Sequence, residues 1–194
     1  MASKSDLLPF IKARKSTLEF SGRKVEGKDI EKILEAGRWT PSPLNVQPWQ
    51  FIVIEDKKRI SDMMKTSFYG YLHNDPALII SIAIRDQYWQ DDYMSGAQPG
   101  ILGILECYMS AGMAGANMVF EAQSLGIDSC IITPDPSKSP FILGLSARDF
   151  NPIFLCFGYG QKGAKRRVRE RKGISEIVSY EQIGNQKRGG KQAL

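Results

Sequence analysis

The chain has 194 residues and carries 26 Lys and Arg against 21 Asp and Glu, a formal net charge of +5. This length fits one domain, at roughly 100–200 residues per domain, and is enough to bury a core without staples. An apolar fraction of 42% with 24% charged residues excludes wholesale disorder and collagen-like or low-complexity chains. The charge is uneven. Residues 1–160 hold 16 basic and 18 acidic side chains, whereas residues 161–194 hold 10 basic and 3 acidic, so the net is −2 against +7. A basic end on a mildly acidic body suits a phosphate contact, a nucleic acid, a membrane surface or solubility.

In chain order, Leu7, Leu8, Phe10 and Ile11 give a short amphipathic stretch whose first turn must hold Pro9. A basic cluster follows at Arg14-Lys15-Ser16, then Phe20 and a turn at Ser21-Gly22. Residues 28–38 read as a helix with Ile30, Ile33, Leu34 and Gly37 on one face. Trp39–Trp49 contains three prolines and cannot be regular. Gln50–Glu55 reads as a strand and 57–66 as a helix. Ala77–Ile84 is a nearly continuous apolar run, as a strand buried on both faces shows. Residues 85–100 read as a loop, and 103–125 as a long helix rich in small residues, ended by Leu125-Gly126. Small residues let another backbone approach closely, so this helix is central or lies at a subunit interface. A strand over Ile127–Thr133, a short helix over 138–145 and a strand over Ile153–Phe157 complete the pattern. Strands alternating with helices predict an α+β (or α/β) fold with a mixed sheet flanked by helices. Residues 1–184 are expected to form one domain and 185–194 a frayed tail.

Cys107, Cys130 and Cys156 lie 23 and 26 positions apart in apolar surroundings, without a CxxC pair. They read as buried small hydrophobes, not as a disulfide framework or zinc site. His73 is the only histidine, which excludes a multi-His metal site, and no metal is expected. The N-terminus shows no secretory h-region. The longest uncharged apolar stretch, Cys107–Phe120, is short of the roughly 18–20 residues that span a bilayer. A cytoplasmic protein is the expectation.

No GxGxxG follows a strand, and neither a P-loop nor GxSxG is present. Three separated segments could instead converge on a phosphorylated planar ligand. Arg14-Lys15-Ser16 offers two cations and a hydroxyl at a helix end, suited to phosphate oxygens. Pro41–Trp49 presents Ser42, Asn45 and Gln47 on a proline-stiffened frame. Arg169-Glu170-Arg171 alternates cations along an extended segment.

Taken in order over roughly residues 8–180, these segments resemble the FMN-dependent nitroreductase family. The likeness is carried by Arg14-Lys15-Ser16, by Pro41-Ser42 with Asn45, Gln47, Pro48 and Trp49, and by Leu125-Gly126-Ile127. Gly158-Tyr159 and Arg169-Glu170-Arg171 before Glu176-Ile177-Val178 extend it. The resemblance implies a nitroreductase-like homodimer with FMN at the subunit interface. It implies Arg14, Lys15 and Ser16 on the phosphate and ribityl chain, with Arg169 and Arg171 completing the clamp. Pro41, Ser42 and Asn45 would reach the flavin from the other subunit, and Gln47 joins these cofactor contacts. Ile132 and Thr133 would lie along the ring edge, with the Thr133 N–H near N5.

The chemistry so implied is reduction of the flavin by NAD(P)H and transfer of electrons to a nitroaromatic, quinone or similar acceptor, by a ping-pong mechanism. The flavin does the chemistry and the protein positions it, so no catalytic side chain is assigned. Tyr69, Tyr71, Tyr88, Trp89 and Tyr93 could stack on an aromatic acceptor or pack the loops. Two positions depart from the family pattern. Leu18 stands where a second basic residue is common, and Pro134, without an N–H, follows Thr133. A flavin-binding module without nicotinamide turnover, and a dehalogenase or flavin reductase on the same fold, are the alternatives. A nucleic-acid role is disfavoured because Tyr180 is the only aromatic residue in 161–194.

Overall fold

The strand Leu78–Ile84 (β2) is buried at all seven positions, and the rest of the chain is arranged around it. The computed structural model describes residues 7–67, 72–90, 101–164 and 170–185. Before β2 come α1 (Leu7–Ala13), α2 (Gly27–Arg38), β1 (Trp49–Ile54) and α3 (Lys57–Met64). After it come α4 (Gln87–Gln90), α5 (Ile101–Ser124), β3 (Asp128–Ile132), α6 (Ser139–Leu143), β4 (Phe150–Gly158) and α7 (Ile174–Ile177).

The four strands form one sheet in the order β1-β2-β4-β3. All three pairings are antiparallel. The α+β class therefore holds, but these strands do not make the expected mixed sheet; among the described residues the only parallel pairing is the isolated bridge Ser16 to Ser129. The long crossover through α5 carries the chain past β4's place, so β4 later returns between β2 and β3 and runs against both. Residues 85–100 were expected as loop, yet Gln87–Gln90 form one helical turn; residues 91–100 lie outside the described residues. The last strand begins at Phe150 instead of Ile153, because buried Asn151 satisfies its side-chain oxygen with the Ser139 hydroxyl at 3.0 Å.

The period-2 alternation of β2 divides the interior in two. Leu78, Ile80, Ile82 and Ile84 face α2 and α5, while Ile79 joins Ile60 and Met63 of α3 on the other face. Each fully buried Ile contributes roughly 1.5–3 kcal/mol relative to exposure. The small residues of α5 serve this packing. Ala111, Ala114 and Ala122 are buried, and a Cβ added at Gly115 would meet the Ile153 and Leu155 methyls at 3.3 and 3.4 Å. The same helix leaves Leu102, Leu105, Tyr108 and Met109 exposed. The three cysteines are buried and none is in a disulfide. No helix among the described residues is long and apolar enough to cross a membrane.

Asp149 ties the ends of β2 and β4 together. Its carboxylate, 1% exposed, accepts the Ser146 and Asp86 N–H groups at 2.9 Å and Arg85 Nε at 3.0 Å. Burial pushes its pKa up, but the N–H groups and the Arg85 charge outweigh this, and the net shift is down. A carboxylate lowered on folding stabilises above the unfolded pKa of about 3.9, and that contribution is lost as pH falls through the folded value. Asp149→Ala should therefore cost about 1–3 kcal/mol at neutral pH. The gap to wild type, read by thermal melts, should narrow below about pH 4. Gly158→Ala should also destabilise, by about 1–3 kcal/mol. Its Cβ would sit 2.8 Å from the Phe20 ring and 3.3 Å from the Ala77 nitrogen.

Candidate functional site

The basic cluster leaves α1 and becomes an extra edge on β3. Ser16 bridges Ser129, and the Thr17 N–H donates to the Ser129 carbonyl at 2.9 Å. This pairing fixes Arg14 and Lys15 over a cleft of about 150 Å³ lined by Ala13, Arg14, Lys15, Gln123, Ile127, Asp128 and Ser129. Arg14 is half-buried with its Nη1 atom out of solvent, whereas Lys15 is exposed. From α5, Gln123 donates its Nε2 to the Phe10 carbonyl at 2.7 Å. The Gln123 Oε1 is buried and has no hydrogen-bond partner among the described residues. A buried acceptor beside two cations is the donor and acceptor set a phosphorylated polyol requires: cations for the phosphate, a carbonyl oxygen for a hydroxyl. The residues present thus fit the phosphate end of a flavin mononucleotide. Gln123 was not found from sequence, because one Gln on a largely apolar helix looks like ordinary surface.

The proline-rich segment is held under strain. Residues Pro43–Asn45 make one 3-10 turn, and Leu44, Asn45 and Gln47 have φ of 48°, 59° and 54°. Apart from asparagine, which tolerates this region, non-glycine residues in it cost on the order of 1–3 kcal/mol each, and such strain clusters at functional sites. Here it is held by local bonds. The Gln47 N–H donates to Ser42 Oγ at 2.9 Å, and Gln47 Nε2 to the Asn45 carbonyl at 3.2 Å. Thr40, at the segment's start, accepts from Asn117 Nδ2 of α5 at 2.8 Å. Pro41, Asn45 and Gln47 are exposed, and Ser42 is half-buried. Ahead of the turn, Trp39 is 74% exposed yet fixed. Its Nε1–H donates to Glu35 at 2.6 Å, and Glu35 also binds Arg38. The hydrogen bonds from Arg38 and then Trp39 pull the Glu35 pKa down to about 2.

The expected residues do not all meet in one chain. No residue of 41–49 lines the Arg14–Lys15 cleft. Ile132 ends β3 and is buried; Thr133 is exposed just beyond it. Pro134 then bridges Ser67, and the Asp135 N–H donates to the Thr66 carbonyl at 2.6 Å. Arg171 is exposed and donates to the Glu170 carbonyl at 3.1 Å, and it is not among the residues lining the cleft. Arg169 lies outside the described residues. Of the aromatic candidates, Tyr88 is half-buried against the core formed by α2, α5 and β2. Trp89 lies on α4, and Tyr69, Tyr71 and Tyr93 lie outside the described residues.

Comparison with known proteins gives a consistent result. Residues 11–134 match the family model described as the nitroreductase family. A protein of Archaeoglobus fulgidus provisionally named an NADH dehydrogenase/NAD(P)H nitroreductase is 32% identical over 125 residues, which span 64% of this chain and 65% of that relative. A provisionally named NAD(P)H nitroreductase of Staphylococcus haemolyticus is 28% identical over 196 residues, covering 81% of this chain and 89% of the relative. Among solved structures, nitroreductase A from Vibrio parahaemolyticus superposes with a TM-score of 0.80 at 17% identity, over 93% of this chain and 78% of that one. An FMN-dependent nitroreductase from Clostridium difficile does so with a TM-score of 0.73 at 19% identity, over 91% of this chain and 99% of that one. The matched stretch runs from the end of α1 through the strained proline turn to the residue after Thr133, so it takes in most of the site just described, and the chain belongs to the nitroreductase family.

Proposed function

We propose that the chain is an FMN-dependent NAD(P)H oxidoreductase that works as a homodimer and passes electrons to a nitroaromatic, quinone or similar acceptor by a ping-pong mechanism. The observation that carries this reading is the Arg14–Lys15 cleft with the buried, unpartnered Gln123 Oε1. When bound, FMN supplies the hydride-accepting and hydride-donating centre. The chain supplies its holding. Arg14 and Lys15 neutralise the phosphate, Ser16 and Gln123 meet hydroxyls of the ribityl chain, and the backbone at Ile132 and Thr133 borders the ring. Pro134 leaves Thr133 as the last N–H donor before the chain turns away.

Two further observations favour a second copy. Leu102, Leu105, Tyr108 and Met109 lie on one exposed side of α5, which in a monomer leaves a large apolar strip in water. The strained segment at Pro41, Ser42, Asn45 and Gln47 is exposed and does not line the cleft of its own chain. In a dimer it would reach the partner's cofactor, and Arg171 would add charge to the clamp. Tyr88 and Trp89 then lie on the acceptor side.

The purified protein should be yellow, and NADH or NADPH should bleach it without oxygen. Initial rates with a quinone should give parallel double-reciprocal lines. A colourless protein that takes up no FMN would overturn the reading. Arg14→Ala and Lys15→Ala should each weaken FMN roughly 10- to 100-fold by fluorescence titration, as loss of one charge-assisted bond of about 1.5–3 kcal/mol requires. Leu105→Glu should shift the dimer toward monomer in sedimentation and release FMN. A monomeric variant that keeps FMN would count against a shared site.

A further inference from the structure

Two sulfurs in the sheet have no part in the proposed electron transfer. Cys130 of β3 and Cys156 of β4 are register partners. Both belong to the core cluster under α3, so they share one face of the sheet. Cys107 belongs to the cluster on the opposite face. The backbone fixes the type of pair. The Ser129 carbonyl accepts from Thr17 and therefore points away from β4. Peptide groups alternate along a strand, so those of Cys130 point toward β4. Opposed residues of this hydrogen-bonded type have Cα atoms about 5.5 Å apart. That separation lies within the roughly 4.4–6.8 Å a disulfide spans. Met64 Sδ lies 3.9 Å from Cys156 Sγ, so the surroundings are soft and apolar.

We propose that Cys130 and Cys156 are a modification site, which a hydroperoxide closes into a reversible cross-strand disulfide beside the cofactor cleft. Oxygen goes first to Cys130, which is 5% exposed, whereas Cys156 is fully buried. Burial also pushes the Cys156 thiol well up, which disfavours its thiolate. The Cys130 thiolate attacks one oxygen of hydrogen peroxide. The O–O bond breaks, giving a sulfenic acid and a hydroxide, and the hydroxide takes the proton Cys130 released on ionising to become one water. The Cys156 sulfur then attacks the Cys130 sulfur, and the S–O bond breaks. The departing hydroxide takes the Cys156 proton and leaves as a second water. Two thiols have lost two electrons and two protons, and the peroxide has become two waters. The product is uncharged, so the apolar face accepts it without desolvating an ion. Access comes through opening of the β3 edge, whose only outer pairing among the described residues is the isolated bridge at Ser16.

The crosslink bears on the cofactor because β3 holds the Arg14–Ser16 segment at Ser129 and ends at Ile132. Bonding the two sulfurs at about 2.05 Å draws β3 against β4 at Cys130, and a thiol reductant releases it. This coupling rests on the function proposed above; the crosslink does not.

The full chain, treated with hydrogen peroxide, is denatured, alkylated and mapped by mass. The expected product keeps only Cys107 alkylatable and yields a peptide pair joining Cys130 to Cys156, and a thiol reductant restores all three. Three alkylatable cysteines, a pair involving Cys107, or sulfinic and sulfonic acids alone would overturn the proposal. Cys107→Ala should leave the crosslink intact. Cys156→Ala should stop Cys130 at a sulfenic acid that dimedone traps. FMN titration should show a several-fold weaker Kd in the oxidised protein, reversed by reductant; an unchanged Kd removes the coupling. Reduced protein that binds no FMN refutes the proposed function and leaves the crosslink result standing.

Discussion

The constraint on which the structure depends is that β2 is buried on both faces. A strand in that position cannot carry a charge or face solvent, so both faces of the sheet must be covered. Helices α2 and α5 cover one and α3 with α6 the other. With the centre so occupied, polar chemistry is left to the margins. The cleft of Arg14 and Lys15 forms at the outer edge of β3, where the chain from α1 is laid against a strand that has no other strand neighbour on that side among the described residues.

Electrostatics reinforce this division. The charged clusters of the body are short-range and mostly exposed: Glu35 with Arg38, Asp62 with Lys58 and Lys65, Asp135 with Lys138. Pairs of that kind contribute little to stability. Asp149 differs because its carboxylate is buried and fully used by two backbone N–H groups and Arg85. It does for the loop ends what β2 does for the sheet, holding together segments that are far apart in sequence.

Much of this was legible in the sequence where local pattern and physical cause coincide. The apolar run of β2, the one-sided face of α2 and the small residues of α5 each report their own burial. Strand direction was not legible, since a local pattern carries no record of which strand a distant one meets. The start of β4 was missed because Asn151 reads as a loop residue until its Ser139 partner is known. At the site, Arg14-Lys15-Ser16 and the proline-rich segment announced themselves by residue type. Gln123 did not: only in the fold is one end of its amide fixed by the Phe10 carbonyl while the other end is buried. Arg171 looked like part of the same clamp, but in one chain its guanidinium donates to the Glu170 carbonyl, and it does not line the Arg14–Lys15 cleft.

The left-handed turn at Leu44, Asn45 and Gln47 also shapes how this segment can drift. Asparagine tolerates that conformation well, so Asn45 occupies it at small cost, while Leu44 and Gln47 do not share the advantage. β-Branched residues are shut out of all three positions, and glycine would enter any of them without steric penalty. Glycine would, however, enlarge the unfolded ensemble and loosen a frame that now presents exposed groups in one arrangement. The segment is therefore expected to diversify among Asn, Asp, Gly and unbranched side chains, and to exclude Val, Ile and Thr. That filter comes from backbone geometry and operates whatever the acceptor.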